Sequence, residues 1–229
     1  MTYDILATGS SGNAVVIGGE ILIDCGVPMK KLRESGYIQR LRLVLLTHEH
    51  GDHFNAAAVR ALHRERPALR WACCGWMVPH LLAAGVDTRV IDAAGPAASG
   101  ETGRALIYSG FAAVRPVPLI HDVPNCGWEV QRGGERLFYA TDTSTLAHIE
   151  AKGCGCYLIE ANHTQAEIEA RTADKLARGE FAYEARAAQT HLSRERALEW
   201  LARNAGPSSE YVFLHQHKEK DHVYQLPAQ

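Results

Sequence analysis

The chain has 229 residues, 24 Lys and Arg against 26 Asp and Glu for a formal net charge of −2, and 46% hydrophobic side chains. The near balance excludes a protein held to nucleic acid by bulk charge, and the apolar share allows a sizeable core without disulfides. No stretch approaches the ~20 apolar residues needed to span a bilayer. Met1-Thr2-Tyr3-Asp4 also opens without a basic region and an apolar signal core, so the expectation is a soluble cytoplasmic protein with no membrane partner.

In chain order, short apolar runs at Tyr3–Ala7, Ala14–Ile17 and Ile21–Ile23 are broken by Gly9-Ser10-Ser11-Gly12-Asn13 and Gly18-Gly19, and read as strands of a meander. Residues 42–46 form a continuous apolar run ending at Thr47, the pattern of a strand covered on both faces. Residues 55–66 start with a cap-type Asn55, carry Ala58 and Leu62 at helical spacing and stop at Pro67. A second helix is predicted over residues 76–84, ended by Gly85. Residues 93–103 are rich in Ala, Gly, Pro and Ser and read as a loop or a seam. Strand patterns resume at Leu106–Tyr108 and at residues 112–117, 127–131 and 137–140, with Gly133-Gly134 as a hairpin turn. Residues 156–159 make another buried strand, and residues 164–178 a helix with Thr164 and Glu167 in capping-box positions. A helix over residues 193–204 follows, then a last strand at 211–214 running into His215. Strands, then helices, then the same again predict an α/β or α+β sandwich.

Six cysteines, including Cys73-Cys74 and Cys154-Gly155-Cys156, fit neither a zinc ribbon nor a secreted disulfide framework, and are expected as reduced, buried thiols. The histidines are more informative because they cluster. Thr47-His48-Glu49-His50-Gly51-Asp52-His53 follows directly on an apolar strand. Imidazole and carboxylate together suit zinc, manganese or iron, and three histidines with an aspartate in six residues can serve two metals. An extended strand would set His48, His50 and Asp52 on one face and His53 on the other, so a loop with a turn at Gly51 is expected.

That motif resembles the His-x-His-x-Asp-His signature of the metallo-β-lactamase fold, and the resemblance runs nearly the full chain. It implies a four-layer αββα sandwich: one domain over residues 1–229, made of two similar halves at about 1–110 and 111–229. Asp24, after Ile21–Ile23, matches an early aspartate that supports the metal loop. His121 in Pro118-Leu119-Ile120-His121-Asp122, Asp142 in Thr141-Asp142-Thr143 and His215 match the remaining ligands, although His217 and His222 stand near the last. The implied cofactors are two divalent ions, zinc first, with manganese or iron as alternatives. One would be held by His48, His50 and His121, the other by Asp52, His53 and His215, and Asp142 would be shared.

Further segments are similar to the nuclease branch, which includes ribonuclease Z. Glu160-Ala161-Asn162-His163, His191-Leu192-Ser193 opening a helix, and Gly9-Ser10-Ser11-Gly12-Asn13 recur in its YycJ/WalJ-like group. The chain has neither the long β-CASP insertion nor a Gly/Pro-rich arm of the kind used on transfer RNA. The implied activity is therefore a phosphodiesterase or nuclease on single-stranded nucleic acid, short oligonucleotides or cyclic nucleotides. Its partner is that phosphodiester substrate, with a homodimer admitted. Asp52, Glu160 and His191 are the catalytic candidates: a departing alkoxide needs a proton, which His191 could give if Glu160 orients it. His163 reads either as a substrate contact or as a surface residue, and Gly9–Asn13 either as a phosphate cradle or as a plain turn. The competing readings are a thioester, lactone or β-lactam hydrolase, which has no need of the Glu160/His191 pair, and a non-catalytic regulatory metal-binding module.

Overall fold

The structure is a computed structural model that describes residues 1–95, 103–179 and 184–216. Twelve strands form two six-stranded sheets. The first contains β1 (Tyr3–Ala7), β2 (Ala14–Ile17), β3 (Ile21–Ile23), β4 (Leu43–Leu45), β5 (Arg70–Cys73) and β6 (Ile91–Ala93), hydrogen-bonded in that order. The second contains β7 (Leu106–Tyr108), β8 (Ala112–Leu119), β9 (Asn125–Arg132), β10 (Glu135–Ala140), β11 (Cys156–Glu160) and β12 (Glu210–Leu214), also in sequence order across the sheet. The antiparallel members are joined by tight turns. Gly133 and Gly134, at φ of 57° and 83°, supply the left-handed pair that a two-residue β9–β10 hairpin requires.

Side-chain alternation builds the layers. Val15, Ile17, Ile21, Ile23, Leu43 and Leu45 point from the first sheet into a core shared with Trp128, Val130, Leu137, Tyr139, Leu158 and Leu214 of the second. Their neighbours Val16, Leu22, Val44 and Trp71 face the other way, onto α1 (Met29–Glu34), α2 (Ala56–Glu65) and α3 (Val78–Ala83) through Leu32, Val59, Leu62 and Leu81. On the second sheet Phe138, Tyr157, Ile159 and Phe213 point outward against Trp200 and Leu201 of α6 (Arg194–Asn204). The result is an αββα sandwich, as the sequence pattern and the family resemblance anticipate. Strands β4, β11 and β12, covered on both faces, read in sequence as continuous apolar runs for that reason.

The caps behave as the sequence requires. Asn55 accepts from Ala58 N at the start of α2. Thr164 and Glu167 form both bonds of a capping box on α4 (Gln165–Ala177), and Ser193 accepts from Arg196 N on α6. The helix expected over residues 76–84 is shorter, because a 3₁₀ turn at Gly75–Met77 precedes α3. Four elements carried no legible signal: α1, whose one buried residue is Leu32, the short strands β5 and β6, and α5 (Glu184–Thr190). In the segment read as a loop or seam, Ala93 closes β6, while residues 96–102 lie outside the described residues. All six cysteines are free and buried. No described helix is long and apolar enough to cross a membrane.

Candidate metal centre

Strands β3, β4, β8, β10, β11 and β12 all present their C-terminal ends at one edge of the sandwich, since β3 runs parallel to β4 and β10 to both β11 and β12. The polar residues follow directly: Asp24 after β3, Thr47 to His53 after β4, His121 after β8, Asp142 after β10, Glu160 ending β11 and His215 after β12. Among the described residues three that are not glycine have left-handed backbone, Asp24 at φ 60°, Asp142 at 57° and His215 at 53°. Such positions cost ~1–3 kcal/mol each and persist where surrounding contacts over-determine them. Here Asn125 Nδ2 donates to Thr141 O at 3.0 Å and Asp142 O at 2.6 Å, and His215 N donates to Thr8 Oγ1 at 2.7 Å.

The loop after β4 turns through hydrogen bonds from His53 N and Phe54 N to His50 O, at 2.9 and 2.7 Å. Gly51 lies in that turn, but its φ is not left-handed and a Cβ would meet nothing within 4 Å, so the turn does not depend on glycine there. The close approach lies instead at Gly26, where a Cβ would stand 1.7 Å from Asp52 O. Asp24 is fully buried and accepts from Thr47 N at 3.0 Å and Thr47 Oγ1 at 2.9 Å, while its Oδ2 is 2.7 Å from His53 Nδ1. That contact fixes the ring with Nε2 toward the cluster, the supporting-carboxylate arrangement seen behind metal-binding imidazoles.

Donor atoms converge in overlapping groups, each spanning no more than 4.8 Å: His48, His50 and His121; Asp52, His53 and His215; His48, His53 and Asp142; and Asp142, Glu160, His191 and His215. All seven ligand candidates of the sequence are thus brought together, and Asp142 belongs to groups on both sides. Its Oδ2 is 2.7 Å from His53 Nε2 and its Oδ1 3.3 Å from His215 Nε2. His217 and His222 lie outside the described residues.

Electrostatics divide the groups. Burial pushes His48 well below the ordinary histidine range, reinforced by the neighbouring imidazoles, and burial likewise lowers His121. Both are therefore neutral, the form that ligates. Burial alone would lower His53 too, yet the charges of Asp142 and Asp24 outweigh it and hold it well above that range. His215 is raised, burial again being outweighed by Asp142 and Asp52. Burial would raise Asp142, but His53 and His215 keep it well below the usual carboxylate range. His48 Nε2, His215 Nε2 and Asp142 Oδ2 are buried without a well-directed hydrogen bond. Unsatisfied buried groups cost ~1–3 kcal/mol each, and His48 and His215 each share a donor group with Asp142, so cations there would satisfy what the protein leaves open.

Glu160 and His191, which share a donor group with Asp142 and His215, are also tied to each other. Glu160 is completely buried; its Oε2 accepts from Thr143 N at 3.0 Å and Leu192 N at 3.1 Å, and its Oε1 is 2.6 Å from His191 Nδ1. The His191 ring lies 5.3 Å from that of His121 and 5.2 Å from that of His215, stacked on the latter. Burial would lower its pKa, but Glu160 pushes it up to about 9.

Other residues fall where the sequence gave little warning. Asn13 is buried, with Nδ2 3.3 Å from Asp52 Oδ2 and 2.8 Å from His53 Nε2. The amides of Gly9, Gly12 and Asn13 are spent on Asn13 Oδ1, Gly9 O and Asp52 O, so this turn braces the loop after β4. Asn162 Nδ2 donates to His215 O at 2.9 Å. His163 is buried, not a surface residue, and its carbonyl accepts from Arg194 N. Glu49, inside the motif, turns away and pairs with His80 at 2.7 Å. Asp122 was missed, although it directly follows a ligand candidate; its Oδ1 is 3.1 Å from His121 Nε2 and 3.5 Å from His50 Nε2.

The family model described as the β-lactamase superfamily domain matches residues 20–216. The chain belongs to that family. A comparison with curated protein sequences gives no match. Among solved structures, this β-lactamase superfamily domain is similar to the short form of human tRNase Z, with a TM-score of 0.70 and 16% identity over 94% of this chain and 92% of that one. It is similar to a diphosphatase of the PhnP family (TM-score 0.62, 17% identity, 93% and 86% covered). It is also similar to zinc-bound PqqB from Methylobacterium extorquens (TM-score 0.61, 14% identity, 94% and 89% covered). At these identities the likeness carries the fold alone. Family membership and the histidine–carboxylate groups together support a metal-dependent hydrolase that uses divalent ions.

Proposed function

We propose that this β-lactamase superfamily domain is a dinuclear-metal phosphodiesterase acting on single-stranded nucleic acid, short oligonucleotides or cyclic nucleotides. The observation that carries the reading is the buried Glu160 holding His191 at 2.6 Å beside both donor groups. His48, His50 and His121 would hold one ion, Asp52, His53 and His215 the other, with Asp142 between them. Zinc is the first choice for imidazole and carboxylate donors. Ions bound there supply a polarised phosphoryl oxygen and a water made nucleophilic near neutral pH.

The chain's own residues do the rest. Asp24 and Asn13 lie against His53, and Asn13 Nδ2 is also 3.3 Å from Asp52 Oδ2, so Asp52 would be held as the carboxylate beside a water supplied by the ions. His191 Nδ1 is engaged by Glu160, which leaves the opposite ring nitrogen to donate a proton to the departing alkoxide; its raised pKa keeps that proton available near neutrality. A thioester releases a thiolate, which departs without a positioned proton donor, so the braced His191 favours a substrate that releases a basic oxygen such as an alkoxide. Two of the similar structures, a tRNase Z and a diphosphatase, agree in chemistry with phosphate substrates.

The test is a substrate panel with zinc, manganese and magnesium: bis-p-nitrophenyl phosphate, single- and double-stranded DNA and RNA, cyclic mononucleotides, a thioester and nitrocefin. Phosphodiester turnover is expected with two ions per chain. Rapid thioester or nitrocefin turnover with no phosphodiester turnover under any metal would overturn the reading.

A further inference from the structure

Helix α5 touches the rim of the site twice. Thr190 O lies 3.2 Å from His121 Nδ1, which leaves His121 Nε2 for the donor group. One turn earlier on the same helix, Arg186 Nη2 donates to Asp122 Oδ2 at 2.5 Å. The other oxygen of Asp122 stands beside the Nε2 atoms of His121 and His50, at 3.1 and 3.5 Å. The Arg186 guanidinium is therefore a single carboxylate away from two candidate ligand nitrogens. Its side chain is 73% exposed, and Asp122 is its one partner among the described residues. The exposed guanidinium thus has donors beyond the one given to Asp122, at the rim of the site.

A guanidinium fork matches phosphate geometry, and a carboxylate behind it fixes where the fork points. Arg196 by contrast reaches a donor-bearing loop through the Ser144 carbonyl, at 3.4 Å. Elsewhere among the described residues, arginine pairs such as Arg33–Glu65 and Arg70–Asp92 lie on elements that carry no donor group.

We propose that Arg186 binds the phosphate adjacent to the scissile one, so that the protein selects chains of two or more phosphates, oligonucleotides and terminally phosphorylated nucleotides, over single-phosphate esters. This rests on the phosphodiesterase reading and narrows its substrate class: cyclic mononucleotides, with one phosphate, gain nothing from Arg186. No bond is made or broken by Arg186, which acts as a specificity-determining residue.

The experiment measures binding, not turnover. Thymidine 3′,5′-bisphosphate, thymidine 3′-monophosphate and thymidine 5′-monophosphate are titrated into the zinc-loaded protein by calorimetry, for wild type, Arg186→Ala, Arg186→Lys and Arg196→Ala, with metal content measured on each. Wild type is expected to bind the bisphosphate about tenfold more tightly than the better monophosphate, the low end for hydrogen bonds to a charged group at an exposed site. Arg186→Ala should bring that ratio below about threefold, Arg186→Lys should keep part of it, and Arg196→Ala should leave it unchanged. Loosening of the metal site would weaken all three ligands together and cancel in the ratio. A wild-type ratio near one, a ratio that survives Arg186→Ala, or one that collapses in Arg196→Ala instead would each overturn the assignment. If the ratio depends on Arg186 while no phosphodiester is cleaved, the phosphate site stands and the cleavage reading falls. If phosphodiesters are cleaved and the ratio ignores Arg186, the reverse holds.

Discussion

Replacing Gly26 by alanine perturbs the site from outside the histidine motif, and its size follows from three distances. A Cβ on Gly26 would lie 1.7 Å from Asp52 O, 2.2 Å from Asp52 C and 2.8 Å from His53 N, all backbone atoms that no rotamer change can move away. Gly26 N also donates to Asn13 O at 3.0 Å while Asn13 N donates to Asp52 O at 2.6 Å, so the three segments are cross-braced. To reach even a 3.0 Å contact, the Asp52 carbonyl must retreat by more than 1 Å, a displacement that costs ~10²-fold in a positioned site. Both residues belong to the same donor group. Gly26→Ala should therefore weaken one of two bound ions by roughly 10–100-fold, the range for losing the support behind a ligand. The overpacking should destabilise the fold by ~3 kcal/mol, a fall in Tm of about 6–12 °C for a chain of this length. Gly51→Ala is the contrast: it sits inside the motif, yet meets nothing within 4 Å and needs no left-handed backbone. It should stay within ~0.5 kcal/mol of wild type, as an exposed substitution does. Elemental analysis, chelator competition and thermal denaturation read all of this. Full metal content and an unchanged Tm in Gly26→Ala, or loss of an ion in Gly51→Ala, would refute the reasoning.

His191→Ala should keep both ions and lose ~10²–10⁴-fold in turnover of nucleotide esters, but far less on bis-p-nitrophenyl phosphate, whose leaving group departs without a proton; Glu160→Gln should give a milder version. Equal losses on both substrates with metals intact would remove His191 from proton transfer. Metal loading should raise Tm, because an ion at 100 times its Kd adds ~2.7 kcal/mol, and Asp142→Ala should abolish most of that shift; an Asp142→Ala protein that still gains it would count against a shared carboxylate. The thiols of the native protein should resist a colorimetric thiol reagent, since all six are buried and burial pushes Cys25, Cys73 and Cys156 up to about 12. Six should react after unfolding; fast labelling of the native protein would contradict the packing.

The sequence by itself determined which residues were candidates for the site. His48, His50, Asp52 and His53 stand out as a cluster after an apolar run, and the family resemblance, supported by chain order and places at strand ends, added His121, Asp142 and His215. Capping chemistry is equally local, which is why Asn55, Thr164 and Ser193 mark the starts of α2, α4 and α6. What only the tertiary structure decided is contact across the chain. Gly26 and Gly51 are indistinguishable as letters, yet one lies against the Asp52 backbone and the other meets nothing. Asn13 reads as a turn residue and proves to brace a loop 39 positions away. Helix α5, short and rich in alanine, has no legible apolar period, and its effect on the site comes through Arg186 and a backbone carbonyl of Thr190. Periodicity and capping are written in neighbouring residues; the supports behind a site are set by which strand ends the two sheets bring to one edge, and that is a property of the packed sandwich.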